Sequence, residues 1–337
     1  MDAGMRKFTW AARRSGLLAL LGATLVFPTV GRGQQPEEMV RLGDNLAISN
    51  AGIYIAIDKG YFKEQGIRIE LTTFASAVKM VQAMAAGELD VIPGTASAGL
   101  LNAIAQGAPY RIVADKGQAR AGTGYILLAV RKDLVESGQV KSVRDLKGRK
   151  VADYANGGIL SYLLGKMAEE AGLTLKDFDV TYLGAPSQLT AFETKAIDAT
   201  VLAEPWGANF EERGLAVRFR TPDQVRGLGP VQGAGIVYSG KFLAERRAVA
   251  QRWMNAYLKG SASFNARGVK DPEVAAIIER FTKVPAKVVS TAFPHYQAPD
   301  GRLILESLQD QIRWYVANGY MPQAIGVDKV VDLSFLK

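Results

Sequence analysis

One pattern occurs twice in this chain and limits its fold more than any other feature. In the first copy, an alternating strand (Ile67, Ile69, Leu71) leads through a turn with Phe74 and Ser76 into a helix that stops at Gly87. Glu88-Leu89-Asp90-Val91-Ile92 and a Gly94-Thr95 turn follow. In the second copy, Phe178, Val180 and Tyr182 alternate, Pro186 and Ser187 mark the turn, and a helix leads to Ile197–Leu202 and Glu204-Pro205-Trp206. Period-two alternation passing into helical spacing is the mark of a β-α-β unit. Ser76 precedes Asp90 by 14 positions and Ser187 precedes Asp198 by 11, a difference of about one helical turn. The copies predict two similar α/β lobes, and a cleft between lobes is a preferred place for a small ligand.

A length of 337 residues suits two domains. The chain has no cysteine, which excludes disulfides, thiolate metal sites, cysteine nucleophiles and a lipoprotein-type anchor. His295 is its one histidine, so a multi-histidine metal site is excluded as well. No metal or cofactor is expected. Formal net charge is +8, but Arg6, Lys7, Arg13, Arg14 and Arg32 crowd the first 33 residues with one acid, Asp2. The remainder carries 36 basic and 32 acidic residues, or +4. That balance is too mild and too scattered to indicate nucleic acid.

The N-terminus reads as a secretory signal over residues 1–33. Arg6, Lys7, Arg13 and Arg14 form a basic region, Leu17 to Phe27 an apolar one, and Gly31 and Gly33 suit cleavage before Gln34. The apolar run is too short for an ordinary membrane span. Arg13-Arg14 followed by Leu17-Leu18 faintly suggests a twin-arginine route; general export is the main reading. The mature protein is expected to be soluble and exported.

In open α/β sheets, ligands sit outside the carboxyl ends of the strands, where loops meet helix N-termini. That rule selects Ser49–Gly52, Phe74–Ala77, Gly94–Ser97, Asn156–Ser161, Ser187-Gln188 and Glu204–Trp206. The first turn of a helix has free N–H groups and partial positive charge, which suits an anion. Asn50, Ser76, Thr95, Ser97 and Ser187 are therefore candidate ligand contacts. Any one of the serines taken singly can equally be a helix cap. Asn156-Gly157-Gly158 offers either a backbone-lined contact or a plain tight turn, and it lacks the spacing of a nucleotide-binding loop. Trp206 could stack on a flat or aliphatic ligand, and Trp206, Phe74 and Tyr154 would also accommodate a pyrimidine or other flat ring. Glu204 could receive an amine or hydroxyl, or serve as a capping carboxylate. Arg120, in the stretch that also holds Thr123, could pair with a carboxylate or sulfonate, or be a solvated loop residue. His295 reads as structural, and no nucleophile elbow or catalytic carboxylate pair is evident, so the expectation is a binding protein rather than an enzyme.

Ala56-Ile57-Asp58-Lys59-Gly60-Tyr61-Phe62-Lys63-Glu64-Gln65-Gly66, Ala86-Gly87-Glu88-Leu89-Asp90, Asp145-Leu146-Lys147-Gly148-Arg149-Lys150-Val151 and Glu204-Pro205-Trp206 together resemble the nitrate/taurine/sulfonate and thiamine-precursor group of ABC-importer substrate-binding proteins. The resemblance runs from about Val40 to Tyr320. It implies an α/β, type II periplasmic-binding-protein fold: two α/β lobes, two crossover segments near Leu128–Val135 and Gly229–Val237, and a helical C-terminal tail on lobe 1. The matching division is lobe 1 over 34–132, lobe 2 over 133–230, and a second part of lobe 1 with the tail helices over 231–337. It further implies a monomer that captures a small organic anion, sulfonate- or taurine-like or an aromatic carboxylate, by domain closure. The closed form would be presented to an inner-membrane permease with its cytoplasmic ATPase. A pyrimidine or thiamine-precursor ring is the alternative ligand, and an exported enzyme or a sensory binding protein the alternative of another class. A related branch of pyrimidine synthases uses cysteine and histidine, which the cysteine-free composition fits poorly.

Overall fold

The computed structural model of the protein describes residues 37–336; the signal segment expected at 1–33 lies outside them. Among the described residues ten strands form two sheets. In chain order they are β1 (Glu38–Asp44), β2 (Ile67–Thr73), β3 (Val91–Gly94), β4 (Arg111–Ala119), β5 (Ile126–Arg131), β6 (Lys150–Asp153), β7 (Asp179–Tyr182), β8 (Ala199–Ala203), β9 (Ala216–Arg220) and β10 (Val231–Tyr238). Lobe 1 holds the order β2-β1-β3-β10-β4 and lobe 2 the order β7-β6-β8-β5-β9. In each sheet three parallel strands are followed by an antiparallel one, and that strand is the one by which the chain arrives from the other lobe.

The passages between lobes are 120–125 and 221–230. The first comes ahead of the sequence expectation of Leu128–Val135 and of a lobe boundary at 132. β5 is the cause: Ile126 to Val130 are buried, and the strand is paired on both sides, with β8 and with β9. Most of the second expected passage, from Val231 onward, is β10 of lobe 1.

The internal repeat is visible in its bonds. Asp90 accepts from the Arg41 backbone N–H at 2.9 Å, and Asp198 accepts from the Lys150 N–H at 3.1 Å. The Asp90 N–H returns to the Arg41 carbonyl and the Asp198 N–H to that of Lys150. Three residues after Arg41 and Lys150 stand Asp44 and Asp153, the last residues of β1 and β6, both buried. Their carbonyls accept from Phe74 and Leu183 at 2.7 and 2.9 Å.

The tail begins on lobe 1. Helix Arg247–Arg267 crosses helix Ala51–Asp58 where both carry glycine; a Cβ on Gly260 would stand 2.1 Å from the Gly52 carbonyl oxygen. Helix Leu305–Ala317 then spans both lobes. Its Gln311 donates to the Gln232 carbonyl of β10 at 2.9 Å, while Trp314 packs edge-on to Tyr162 of helix Ile159–Glu170 in lobe 2. No helix among the described residues is long and apolar enough to cross a membrane.

Candidate ligand cleft

The lobes meet across the carboxyl ends of their parallel strands. The Ile48 N–H donates to the Glu204 carbonyl at 2.8 Å, and the Ala98 N–H to that of Gly157 at 2.9 Å. The Trp206 indole N–H donates to the Leu46 carbonyl at 3.1 Å. A small cavity of about 50 Å³ lies behind these bonds.

Lobe 1 lines it with Asn45, Ser49, Ser76 to Val78, Thr95 and Lys116; lobe 2 lines it with Tyr125, Ile126, Asp153, Tyr154 and Gly158 to Leu160. Two helix N-termini therefore face the cavity from opposite sides. Ser76 caps helix Ala77–Ala85 by accepting from Lys79, a bond that spans three residues and is legible in sequence. The capping residue of helix Ile159–Glu170 is Gly158, with no side chain to offer.

Lys116 was not foreseen from sequence. Its ammonium is fully enclosed and donates to Ser49 Oγ at 2.8 Å and Asn50 Oδ1 at 2.6 Å. Asn50 passes the link on by donating to Asp44 Oδ1 at 2.6 Å, where the Tyr54 hydroxyl also donates at 2.7 Å. Burial pulls the Lys116 pKa down to about 7, against the attraction of Asp44 and Asp115. Burial likewise lifts Asp115 to about 6. A signal was present: Asp115-Lys116 interrupts the apolar run of β4, and charges at such a place are almost never buried unless paired.

Asp153 was also missed, although it is the repeat partner of Asp44. It accepts from the Ser161 hydroxyl and from the backbone N–H groups of Tyr154 and Ala155. Burial pushes its pKa up to about 6.

The other candidates stand elsewhere. Asn50 supports the wall through Lys116 rather than lining it. Ser97 is fully buried and caps helix Ala98–Ala105. Phe74 is half-buried and packs against the edge of the main core. Thr123 exchanges hydrogen bonds with the Arg120 backbone and closes the first passage between lobes. Arg120 itself lies over the Tyr296 ring at 4.2 Å and bonds Gln118, in a separate recess. Its planar cation finds that aromatic face within the passage segment, away from the cleft. Asn156 is exposed and accepts from the Tyr182 hydroxyl at 2.8 Å. Gly157, at φ +70°, serves through its carbonyl, and a side chain there would crowd Ala98 and Tyr320.

Ser187 is exposed, one turn inside helix Ala185–Glu193, whose capping residue is Gly184. Gly184 precedes Asp198 by 14 positions, the same interval as Ser76 to Asp90. It faces Ala75 of the other lobe, where a Cβ would meet the Ala75 Cβ at 3.3 Å. Glu204 is fully buried, paired with Arg218 at 3.1 Å and bonded by the Ala208 and Phe293 N–H groups, so its carboxylate is already satisfied. Trp206 does not line the cavity; its ring lies edge-on to Phe210.

Comparison with known proteins accords with this architecture. The chain is 24% identical over 288 residues to a protein of Escherichia coli (strain K12) named as an aliphatic sulfonates-binding protein, covering 82% of each. Its fold matches the alkanesulfonate-binding protein SsuA from Xanthomonas axonopodis pv. citri, solved bound to MOPS (TM-score 0.73, 18% identity, 88% of this chain and 99% of that one). It also matches the periplasmic nitrate-binding protein NrtA from Synechocystis PCC 6803 (TM-score 0.72, 15% identity, 88% and 86%). The desulfurization enzyme DSZB has the fold too (TM-score 0.62, 14% identity, 88% and 97%). With the two-sheet architecture in place and the model of the NMT1/THI5 like family matching residues 47–268, the chain belongs to that family.

Proposed function

We propose that the protein is the soluble solute-binding component of an ABC importer, exported to the periplasm, and that it captures a small organic anion by closing its lobes. The observation that carries this reading is the cavity between the lobes, whose lobe 1 wall combines a capped helix N-terminus with a buried ammonium, Lys116. Free N–H groups at Ala77 and Val78 favour an anion at that wall. Sulfonate-like compounds and aromatic carboxylates fit it. Ligand touches both lobes only when they are together, so binding and closure are one equilibrium.

The partner in this reading is an inner-membrane permease with its ATPase, and the protein acts as a monomer. The sulfonate- and nitrate-binding relatives support it. The enzyme reading has the fold of DSZB in its favour, but the cavity wall presents no cysteine and no His295. Tyr125, Tyr154, Ile126 and Leu160 on the same wall favour a second ligand class, a flat ring of the pyrimidine or thiamine-precursor kind.

The test is a thermal-shift screen of protein starting at Gln34, stripped of ligand by unfolding and refolding. The panel holds alkanesulfonates, nitrate, aromatic carboxylates and pyrimidines. A ligand at about a hundred times its dissociation constant adds about 2.7 kcal/mol. Stabilisation by the anions is expected. Stabilisation by rings alone moves the reading to the second class, and turnover of a bound compound replaces it with the enzyme.

A further inference from the structure

The wall that carries Ser49 and Lys116 is held from behind by residues 295–298 of the tail, which answer β4 residue by residue. The Gln118 N–H donates to the Tyr296 carbonyl at 3.0 Å, the His295 Nε2 lies 3.1 Å from the Lys116 carbonyl, and the Ala298 N–H donates to Asp115 Oδ2 at 2.6 Å. Gln297 reaches further than its neighbours. Its side-chain amide is fully buried and donates to the Ser49 carbonyl at 2.8 Å and to the Lys116 carbonyl at 3.1 Å. Its oxygen accepts from the Ser261 hydroxyl at 2.7 Å. Turned over, the amide would set that oxygen against two carbonyls, so its direction is fixed. Gln297 lies outside residues 47–268, the part of the chain that matches the family.

These bonds close a ring. Lys116 Nζ donates to Ser49 Oγ at 2.8 Å and to Asn50 Oδ1 at 2.6 Å, two neutral oxygens of one turn. Gln297 ties the backbone of that turn back to the backbone of Lys116. A lysine stem is a flexible chain of four carbons, so nothing in the side chain itself sets where its ammonium ends. Here the turn sets the ammonium, and Gln297 sets the turn. Without the two amide donors, the Ser49 and Lys116 carbonyls each lose a buried partner, and moving the turn away from β4 to admit water relieves that cost. The ammonium would follow the turn and leave its place on the cavity wall.

We infer that Gln297 is a positioning residue for ligand capture that acts through Lys116: by clasping the carbonyls of Ser49 and Lys116 it holds the ammonium where the anionic group of the ligand arrives. This rests on the reading of the cavity as an organic-anion site and names a residue, remote from the cavity, on which the charge preference of that site depends.

The experiment is calorimetric titration of the stripped protein with two pairs of like shape and different charge: ethanesulfonate against ethanesulfonamide, and benzoate against benzamide. In the unmodified protein the anion of a pair is expected to bind about tenfold or more tighter than its neutral counterpart, the worth of one charge-assisted hydrogen bond. Gln297→Met, which keeps the length of the side chain and removes both donors, is expected to bring that ratio to within about twofold. A purely structural role would weaken both members of a pair alike, so a ratio that survives Gln297→Met overturns the inference and leaves the anion reading standing. Ser261→Ala is the milder variant: both donors stay, and the hydroxyl that aims them is lost. It is expected to lower the ratio about threefold. Where Gln297→Met fails to fold, an unchanged ratio in Ser261→Ala overturns the inference. Neutral compounds bound as tightly as the anions by the unmodified protein, or no binding by any of the four, overturns the anion reading and the inference with it.

Discussion

The Trp206 indole donates to the Leu46 carbonyl across the cleft, 160 positions apart in sequence and 3.1 Å apart in space. Leu46 holds a left-handed backbone at φ 55°, which a non-glycine residue adopts only when its surroundings impose it. Asp44 fixes its N–H and Trp206 its carbonyl. In the proposed reading, Trp206 acts on closure rather than on the ligand. Trp206→Phe removes the bond and keeps most of the packing against Phe210. The expected loss is about 1 kcal/mol, or about fivefold in affinity, through faster dissociation. Trp206→Ala is expected to exceed about tenfold, since the packing is lost too. Stopped-flow dissociation with ligands of both classes checks this: a change in ligand preference would place the ring against the ligand instead.

Gly184 faces Ala75 over the same cleft. A leucine there would act as a wedge between the lobes without disturbing either core. Gly184→Leu is expected to weaken binding by about tenfold or more while leaving unliganded stability within about 0.5 kcal/mol. Small-angle scattering should show the ligand-induced compaction lost. Compaction equal to that of the unmodified protein would remove Gly184 from the closing surface.

Gly165 admits the Trp314 indole to the face of helix Ile159–Glu170, and an added Cβ would stand 2.1 Å from the ring. Trp314 also donates to Glu169 at 2.6 Å. Gly165→Ala should displace the ring and destabilise the protein by about 1–3 kcal/mol, the usual range for overpacking. Urea unfolding read by tryptophan fluorescence measures it, and an unchanged midpoint would mean that the tail shifts freely.

Lys116 makes stability depend on pH above neutrality. Its pKa is about 7 in the folded protein, against 10.5 for an ordinary lysine. Between those values the unfolded chain holds a proton that the folded one lacks, so stability rises with pH through the window. Below it, the full cost of burying the charge is present. Tyr54, Tyr125 and Tyr238, whose pKa values burial raises, act in the opposite sense above the ordinary tyrosine value of 10. Denaturant midpoints from pH 7 to 9 should therefore climb in the unmodified protein and flatten in Lys116→Met; parallel curves would show Lys116 charged throughout.

What the sequence determined by itself was whatever rests on neighbours along the chain. Period-two and helical spacing marked both β-α-β units. The Ser76 and Ser97 caps were legible because each bond spans three residues. The loops at the strand ends, Ser49 and Thr95 among them, followed from the topology those units allow. Tertiary structure decided the rest. Gly184, rather than Ser187, caps the repeated helix, at a place where a Cβ would crowd Ala75 of the other lobe. β5 belongs to lobe 2, because a strand so fully buried takes a partner on each edge. Lys116, Asn50 and Asp44 meet from positions up to 72 residues apart, and the feature that joins them is a buried charge seeking hydrogen bonds. Periodicity records which face of an element is buried. It carries no record of which distant polar group waits there.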